Sequence, residues 1–266
     1  MKQIFLGFLL AFGLLCKAPA QTGNNGWQGK KCAVVLTYDD GLNIDLANVV
    51  PALDSMDFKG TFYISDHENK LPGQIDGWRK AAARGHELAN HTVYHPCAAD
   101  GPGRTWVQPD RDLGRYSVKR INEEMRTMNT LLQAIDGRKE RTFAYPCGDA
   151  KLHDTSYIDP MRREFVAARG VKPEMLPAAR VDLYNIGCYG MNGQSGADMI
   201  ALVKQAMANG TLLVFLFHGV GGEHDLNVSV QAHSQLLHFL KENQPSVWVA
   251  PLIEVARSVR AVQAHQ

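Results

Sequence analysis

Short apolar runs recur along this chain, separated by stretches whose apolar residues repeat at three and four positions. Residues 32–37, 60–64, 87–89, 142–145, 211–217 and 247–250 are rich in β-branched, aliphatic and aromatic side chains and read as buried strands. Between them lie amphipathic segments. Residues 45–56 set Leu46, Val49, Val50 and Leu53 on one face, and residues 75–84 end at Gly85, a plausible C-cap. The spacing predicts a long helix over 117–135, with Ile121, Met125, Met128, Leu131 and Leu132 as its core stripe. Further helices are expected around 160–169, ahead of a short strand at Val171, and over 197–209, 231–242 and 253–262. Residues 180–188 read as extended. Strands alternating with helices, several of the strands wholly apolar, predict an α/β domain with a mainly parallel, helix-covered sheet. Residues 96–116 lack periodicity, and a loop of that length in a compact domain is often functional.

The polar residues add a second regularity. Asp39/Asp40, His91/His95, Pro146/Gly148 and His218 all fall at or just past the carboxyl ends of predicted strands. In barrels and open α/β sheets, that edge carries the site. Two adjacent carboxylates at the mouth of a core strand repel each other and resist desolvation, an arrangement usually kept where a cation or a reaction uses it. His91 and His95 are four apart, so one turn of helix ended by Pro96 would turn both imidazoles to the same side. An aspartate with two imidazoles gives three protein ligands and leaves room for water and substrate, the layout of a catalytic zinc. The second aspartate is then a candidate base and His218 a candidate acid, since imidazole titrates near neutrality. His224 and His67 lie in polar loops and His86 precedes its strand, so these three are less favoured.

Composition narrows the classes. Lys2, the apolar run 4–15 and the small-residue signature Ala18-Pro19-Ala20 predict a signal peptide over 1–20, with the domain over 21–266. The apolar run is too short for a stable membrane span, so a secreted or periplasmic protein is expected. Without Lys2 and Lys17 the 28 basic residues become 26 against 27 acidic ones, a balance that argues against nucleic acid as a partner. No G-x-S-x-G elbow points to a serine hydrolase. Cys32, Cys97, Cys147 and Cys188 remain in the exported chain, where disulfides are permitted.

The sequences TYDDG, HTVYH, the YPCG turn and the late strand-His, with GTFYI and GHELANHT, resemble the ordered motifs of the polysaccharide deacetylases, carbohydrate esterase family four. The resemblance runs over residues 30–255. It implies a distorted (β/α)7 barrel that removes acetyl groups from carbohydrate, mostly N-acetyl from amino sugars or O-acetyl from xylan. It also implies that Asp39 is the general base, that Asp40, His91 and His95 hold Zn²⁺, Co²⁺ or another divalent ion, and that His218 is the general acid. Tyr145, Pro146 and Gly148 would contact substrate.

Two motifs depart from the family. Ala144 stands where an arginine commonly braces the base, and Ala144 cannot make that bidentate contact. Arg169, or Arg180 ahead of Asp182, could supply the charge from a neighbouring strand. Asp182 with Tyr184 is the nearest match to the fourth motif. The 96–116 loop offers Trp106 and Tyr116 as a wall of a sugar cleft, with Trp106 placed to stack on a sugar. Cys97 follows His95 by two residues and Cys147 lies in the YPCG turn, so a Cys97–Cys147 disulfide is predicted. A monomeric hydrolase acting on a carbohydrate is expected. The alternatives are an O-acetyl esterase and a carbohydrate-binding protein without turnover.

Overall fold

The computed structural model describes residues 26–265, so the expected signal peptide lies outside the described residues. Eight strands form the main sheet: β1 (Cys32–Asp39), β2 (Thr61–Ile64), β3 (Glu87–Asn90), β4 (Thr142–Ala144), β5 (Ala167–Arg169), β6 (Tyr189–Gly190), β7 (Leu212–Phe217) and β8 (Val247–Val249). Among the described residues, six α-helices accompany them: α1 (Val50–Ser55), α2 (Leu71–Ala83), α3 (Val118–Asp136), α4 (Gly196–Asn209), α5 (Val230–Glu242) and α6 (Leu252–Gln263). Every pairing in this sheet is parallel, as the apolar strands and intervening helices require.

The strand order is β5-β4-β3-β2-β1-β7-β6, with β8 beside the first residues of β1. The two ends of this curled sheet approach each other. Ile186 bridges Arg169, accepts from the Gly170 N–H and donates its own N–H to Ala168. One bridge and irregular bonds do the work of a full ladder, giving the distorted (β/α)7 barrel.

Strand alternation explains what faces the inside. Along β1, Val34, Leu36 and Tyr38 pack outward with α1, α2, α4 and α5, whereas Ala33 and Val35 belong to the inner cluster. The same period turns Thr37 and Asp39 inward. Ala144 and Ala167 are also inner residues, and these small side chains leave space for the long one of Arg169. In β7, Leu216 is an inner residue and Phe217 an outer one, so the next position, His218, turns in again.

Some local expectations give way. Residues 160–169 are not a helix. A short turn over Asp159–Met161 precedes β5, and Val171 lies beyond that strand, 46% exposed. A short apolar run does not distinguish helix from strand by periodicity, and backbone pairing with β4 decides it here. In α3, Leu132 enters the core while Leu131 is exposed. The first helix begins as a π-helical turn over Asp45–Val49. Residues 180–188 lack a continuous strand, starting in a turn over Ala178–Arg180.

Candidate metal centre

The carboxyl edge of the barrel gathers Asp39, Asp40, His91, His95 and His218 around one cavity of about 370 Å³. A larger depression of about 930 Å³ lies over α3 and residues 162–166, but its lining holds no histidine or aspartate.

Asp39 ends β1 and is buried. Its Oδ2 accepts from Arg169 Nη2 at 2.5 Å, and its Oδ1 is buried without a hydrogen-bond partner. Burial works against the carboxylate, but the Arg169 guanidinium, with His91 and His218 behind it, outweighs burial and holds the Asp39 pKa below the usual range. Asp40 follows in the left-handed region, φ 76°, where a non-glycine residue is strained. Thr92, His95, Cys147 and Glu223, all in segments that reach this edge, share that strain. Burial raises the Asp40 pKa against the pull of His218 and His67, and the adjacent Asp39 pushes the same way as burial.

The histidine motif does not use a helical turn. Residues 91–96 form a loop in which Thr92 has φ 61° and His95 φ 50°. Asn90 Oδ1 accepts from the Thr92 N–H and Thr92 Oγ1 accepts from the His95 N–H, and these bonds fold the loop. The rings still meet, with centroids 4.7 Å apart. Nε2 of His95 and His91 lie 3.5 and 3.8 Å from Asp40 Oδ1. Nδ1 of His91 sits 2.8 Å from the Ala144 carbonyl, so it carries the proton and leaves the Nε2 lone pair facing both carboxylates, 3.7 Å from Asp39 Oδ2 and 3.8 Å from Asp40 Oδ1. Burial pushes the His91 pKa well below its ordinary value and that of His95 to about 4, keeping both rings neutral.

This donor set fits a divalent ion. Asp40 Oδ1 is buried and has no hydrogen-bond partner, although two imidazole nitrogens face it. A cation would satisfy that oxygen and both neutral imidazoles at once. Behind His91, the Ala144 carbonyl fixes the tautomer and ring orientation that a metal-ligating imidazole needs. A second group, Asp40 with His218 and His224, is equally compact. His95 also clusters with Cys97 and Cys147, but those sulfurs form a disulfide and are not thiolate ligands.

The bracing arginine is Arg169. It pairs with Ala144 in register across β4 and β5, so the charge arrives one strand away from the position that holds alanine. Its guanidinium also reaches the Gly170 carbonyl and lies 4.9 Å above the Tyr63 ring. Asp39 keeps Arg169 protonated against the effect of burial. Arg180 and Asp182, expected near the base, do not reach the site. Both side chains are exposed, and Asp182 caps the Tyr184 N–H at 2.9 Å instead of turning to the site. An irregular backbone over these residues carries them to the surface.

Tyr145, Cys147, Val171 and Leu226 line the cavity with Trp106, which is 57% exposed. Pro146 is buried beneath them. Gly148 packs on Val171, where an added Cβ would come within 2.3 Å, and neither Pro146 nor Gly148 lines the cavity. Cys97 and Cys147 are joined, with Cα atoms 5.8 Å apart, as predicted. Arg104 reinforces this tie through Asp149 at 2.6 Å and the Cys147 carbonyl at 3.0 Å, fixing the long loop to the YPCG turn. Cys32 and Cys188 are buried thiols. His67 and His224, disfavoured in sequence, line a second cavity of about 250 Å³ that shares Asp40, His95 and Trp106 with the first. Nearness to His218 across the glycines 219, 221 and 222 was the available signal for His224.

Among the described residues, no helix is long and apolar enough to cross a membrane. Residues 27–159, half of the chain, match the polysaccharide deacetylase family. A curated relative, gellan lyase of a Bacillus species, is 26% identical over 156 residues, covering 59% of this chain but 5% of that protein. The chain therefore spans a small part of that relative's length. Among solved structures, a Pseudomonas aeruginosa protein titled a probable polysaccharide deacetylase aligns with TM-score 0.65 at 11% identity, over 91% of this chain and 95% of that one. The catalytic domain of a peptidoglycan N-acetylglucosamine deacetylase from Eubacterium rectale aligns with TM-score 0.53 at 17% identity, over 85% and 91%. At such identities the structural likeness establishes the fold alone.

Proposed function

This chain belongs to the polysaccharide deacetylase family, and on that premise we propose that it is a metal-dependent hydrolase removing acetyl groups from an amino-sugar polymer or oligomer. The observation that carries the reading is the split between the two aspartates. Asp40 offers a buried, unpartnered Oδ1 to His95 and His91, while the Asp39 oxygen that His91 also approaches is already taken by Arg169.

Asp40, His91 and His95 would hold the ion, and their one-oxygen, two-nitrogen set suits Zn²⁺ best, with Co²⁺ an acceptable substitute. When bound, the ion polarises the acetyl carbonyl and acidifies water. Asp39 is fixed through Oδ2, so its free Oδ1 is the atom that takes the proton from the attacking water. His218 faces the same cavity and lies 3.9 Å from Asp40 Oδ2, placed to protonate the departing nitrogen. An amide is the harder substrate because its amine leaves poorly without a proton, and the site supplies both proton transfers. That favours N-acetyl over O-acetyl groups. Tyr145, Trp106 and the loop anchored by the disulfide form the walls for the sugar.

Residues 21–266 act in this reading as one catalytic domain, exported to the periplasm or beyond after loss of residues 1–20. The Cys97–Cys147 bond supports export, because disulfides persist in oxidising compartments. Metal content and acetate release, measured on N-acetylglucosamine oligomers and acetylated xylan, test the assignment. Asp39→Asn should keep its metal and lose roughly 10²–10⁴ in rate. Asp40→Asn should lose metal as well. The reverse pattern would sink the assignment, and full activity in a verified metal-free protein would sink the mechanism.

A further inference from the structure

Asp40 stands between two pairs of imidazoles. Its Oδ1 faces His91 and His95, the proposed metal side, and its Oδ2 faces Nε2 of His218 and His224 at 3.9 Å each. His224 has no part in the mechanism above. Its ring nevertheless lies flat on that of His218, with centroids 4.5 Å apart and planes 19° from parallel, and it lines both cavities. Two roles compete for it: a ligand of a second cation with Asp40 and His218, or a hydrogen-bond donor.

The ring's own bond decides between them. The Leu226 N–H donates to His224 Nδ1 at 2.9 Å, so Nδ1 carries its lone pair and the proton sits on Nε2. A protonated nitrogen does not ligate a cation. His91 is the opposite case, its Nδ1 facing a carbonyl and its Nε2 lone pair facing Asp40. One carboxylate therefore meets a lone pair on one side and an N–H on the other. The segment carrying His224 is clamped as well. The Glu223 carboxylate accepts from the Ile44 N–H at 2.6 Å, the Asn43 side chain at 2.9 Å and Lys70 at 3.0 Å.

A separation of 3.9 Å is too long for a direct hydrogen bond. It is the span bridged by one oxygen that bonds to both atoms at about 2.8 Å. Such an oxygen must accept from His224 and donate to Asp40. A sugar hydroxyl does both, whereas an acetamide divides donor and acceptor between N–H and carbonyl. We propose that His224 is a substrate-binding residue, a donor locked in its Nε2–H tautomer, which with Asp40 Oδ2 holds a sugar hydroxyl near the acetyl group. This rests on the deacetylase reading.

Nitrogen-15 spectra of the histidine rings in the metal-free protein read the tautomer without substrate, and His224 should be protonated at Nε2. Protonation at Nδ1 would overturn the proposal. So would two metal ions per chain falling to one in His224→Phe, which would mark a second cation site. On N-acetylglucosamine oligomers, His224→Phe keeps a ring against His218 and removes the donor. Its KM should rise roughly tenfold, the worth of one hydrogen bond, with kcat changed by less than about threefold. His224→Gln, which again offers an N–H, should recover part of the loss. An unchanged KM in His224→Phe beside a working parent defeats the proposal alone. A parent that cleaves no acetylated carbohydrate defeats the deacetylase reading, and the proposal with it, even if the spectra give the Nε2–H form.

Discussion

Arg169 reaches across the inside of the barrel to place its Nη2 2.5 Å from Asp39 Oδ2, although the two residues are 130 positions apart. The contact is wholly buried, with 0% and 4% of the two side chains exposed. In such surroundings a carboxylate left without its cation is costly, and removing one partner of a buried pair typically costs about 3–5 kcal/mol.

Arg169→Met should therefore lower both stability and rate while leaving the three proposed metal ligands in place. Because Arg169 helps hold the Asp39 pKa down, its loss should raise that pKa and move the acid limb of kcat/KM to higher pH. Because Ala144 pairs with Arg169 in register, the double variant Ala144→Arg/Arg169→Ala should recover part of the lost rate. Denaturation and pH–rate profiles on the three proteins measure this. An acid limb that stayed in place in Arg169→Met would exclude bracing of the base.

The Cys97–Cys147 bond closes a segment of 50 residues, for which chain entropy predicts about 4 kcal/mol of stabilisation. Cys97→Ser/Cys147→Ser should unfold at lower denaturant concentration and show a higher KM on oligomers, since the bond ties the Trp106 loop to the site. A shift in stability without any change in KM would make the bond structural only.

Trp106 lines both cavities while 57% exposed. Trp106→Ala should raise KM on a polymer by roughly tenfold, within the range for a stacked aromatic, and barely alter hydrolysis of a small activated acetyl ester. Equal effects on both substrates would argue for general loosening of the loop.

His86 and His233 are buried away from the metal centre, and burial lowers each pKa to about 4, with Asp54 pulling His86 back only in part. The unfolded chain takes up these protons near the ordinary histidine pKa of about 6.5, and the folded chain does so only near 4. Stability should hold above pH 6.5, fall as pH drops through that window, and level off for these two groups below pH 4. His233→Gln should flatten the slope by about one proton's worth. A slope unchanged from the parent in urea titrations across the window would show that His233 does not carry it.

The sequence determined the strands by composition, the long α3 by its stripe, and the site's edge by the polar residues ending each strand. Asp39, Asp40, His91, His95 and His218 were legible because motif and strand end coincide, and the cysteine pair because each sulfur neighbours a motif. Local patterns did not carry the rest. The backbone of 167–169 follows its partner β4 rather than the periodicity of 160–169. The choice of Arg169 over Arg180 depends on which strand lies beside Ala144, a pairing between residues 25 positions apart. His224 joined the site only because its loop folds back on itself, pairing Gly219–Val220 with Asn227–Val228, and on Glu223 meeting Ile44. Such contacts bring together groups far apart in the chain, and only the curled sheet of the distorted barrel sets their distances.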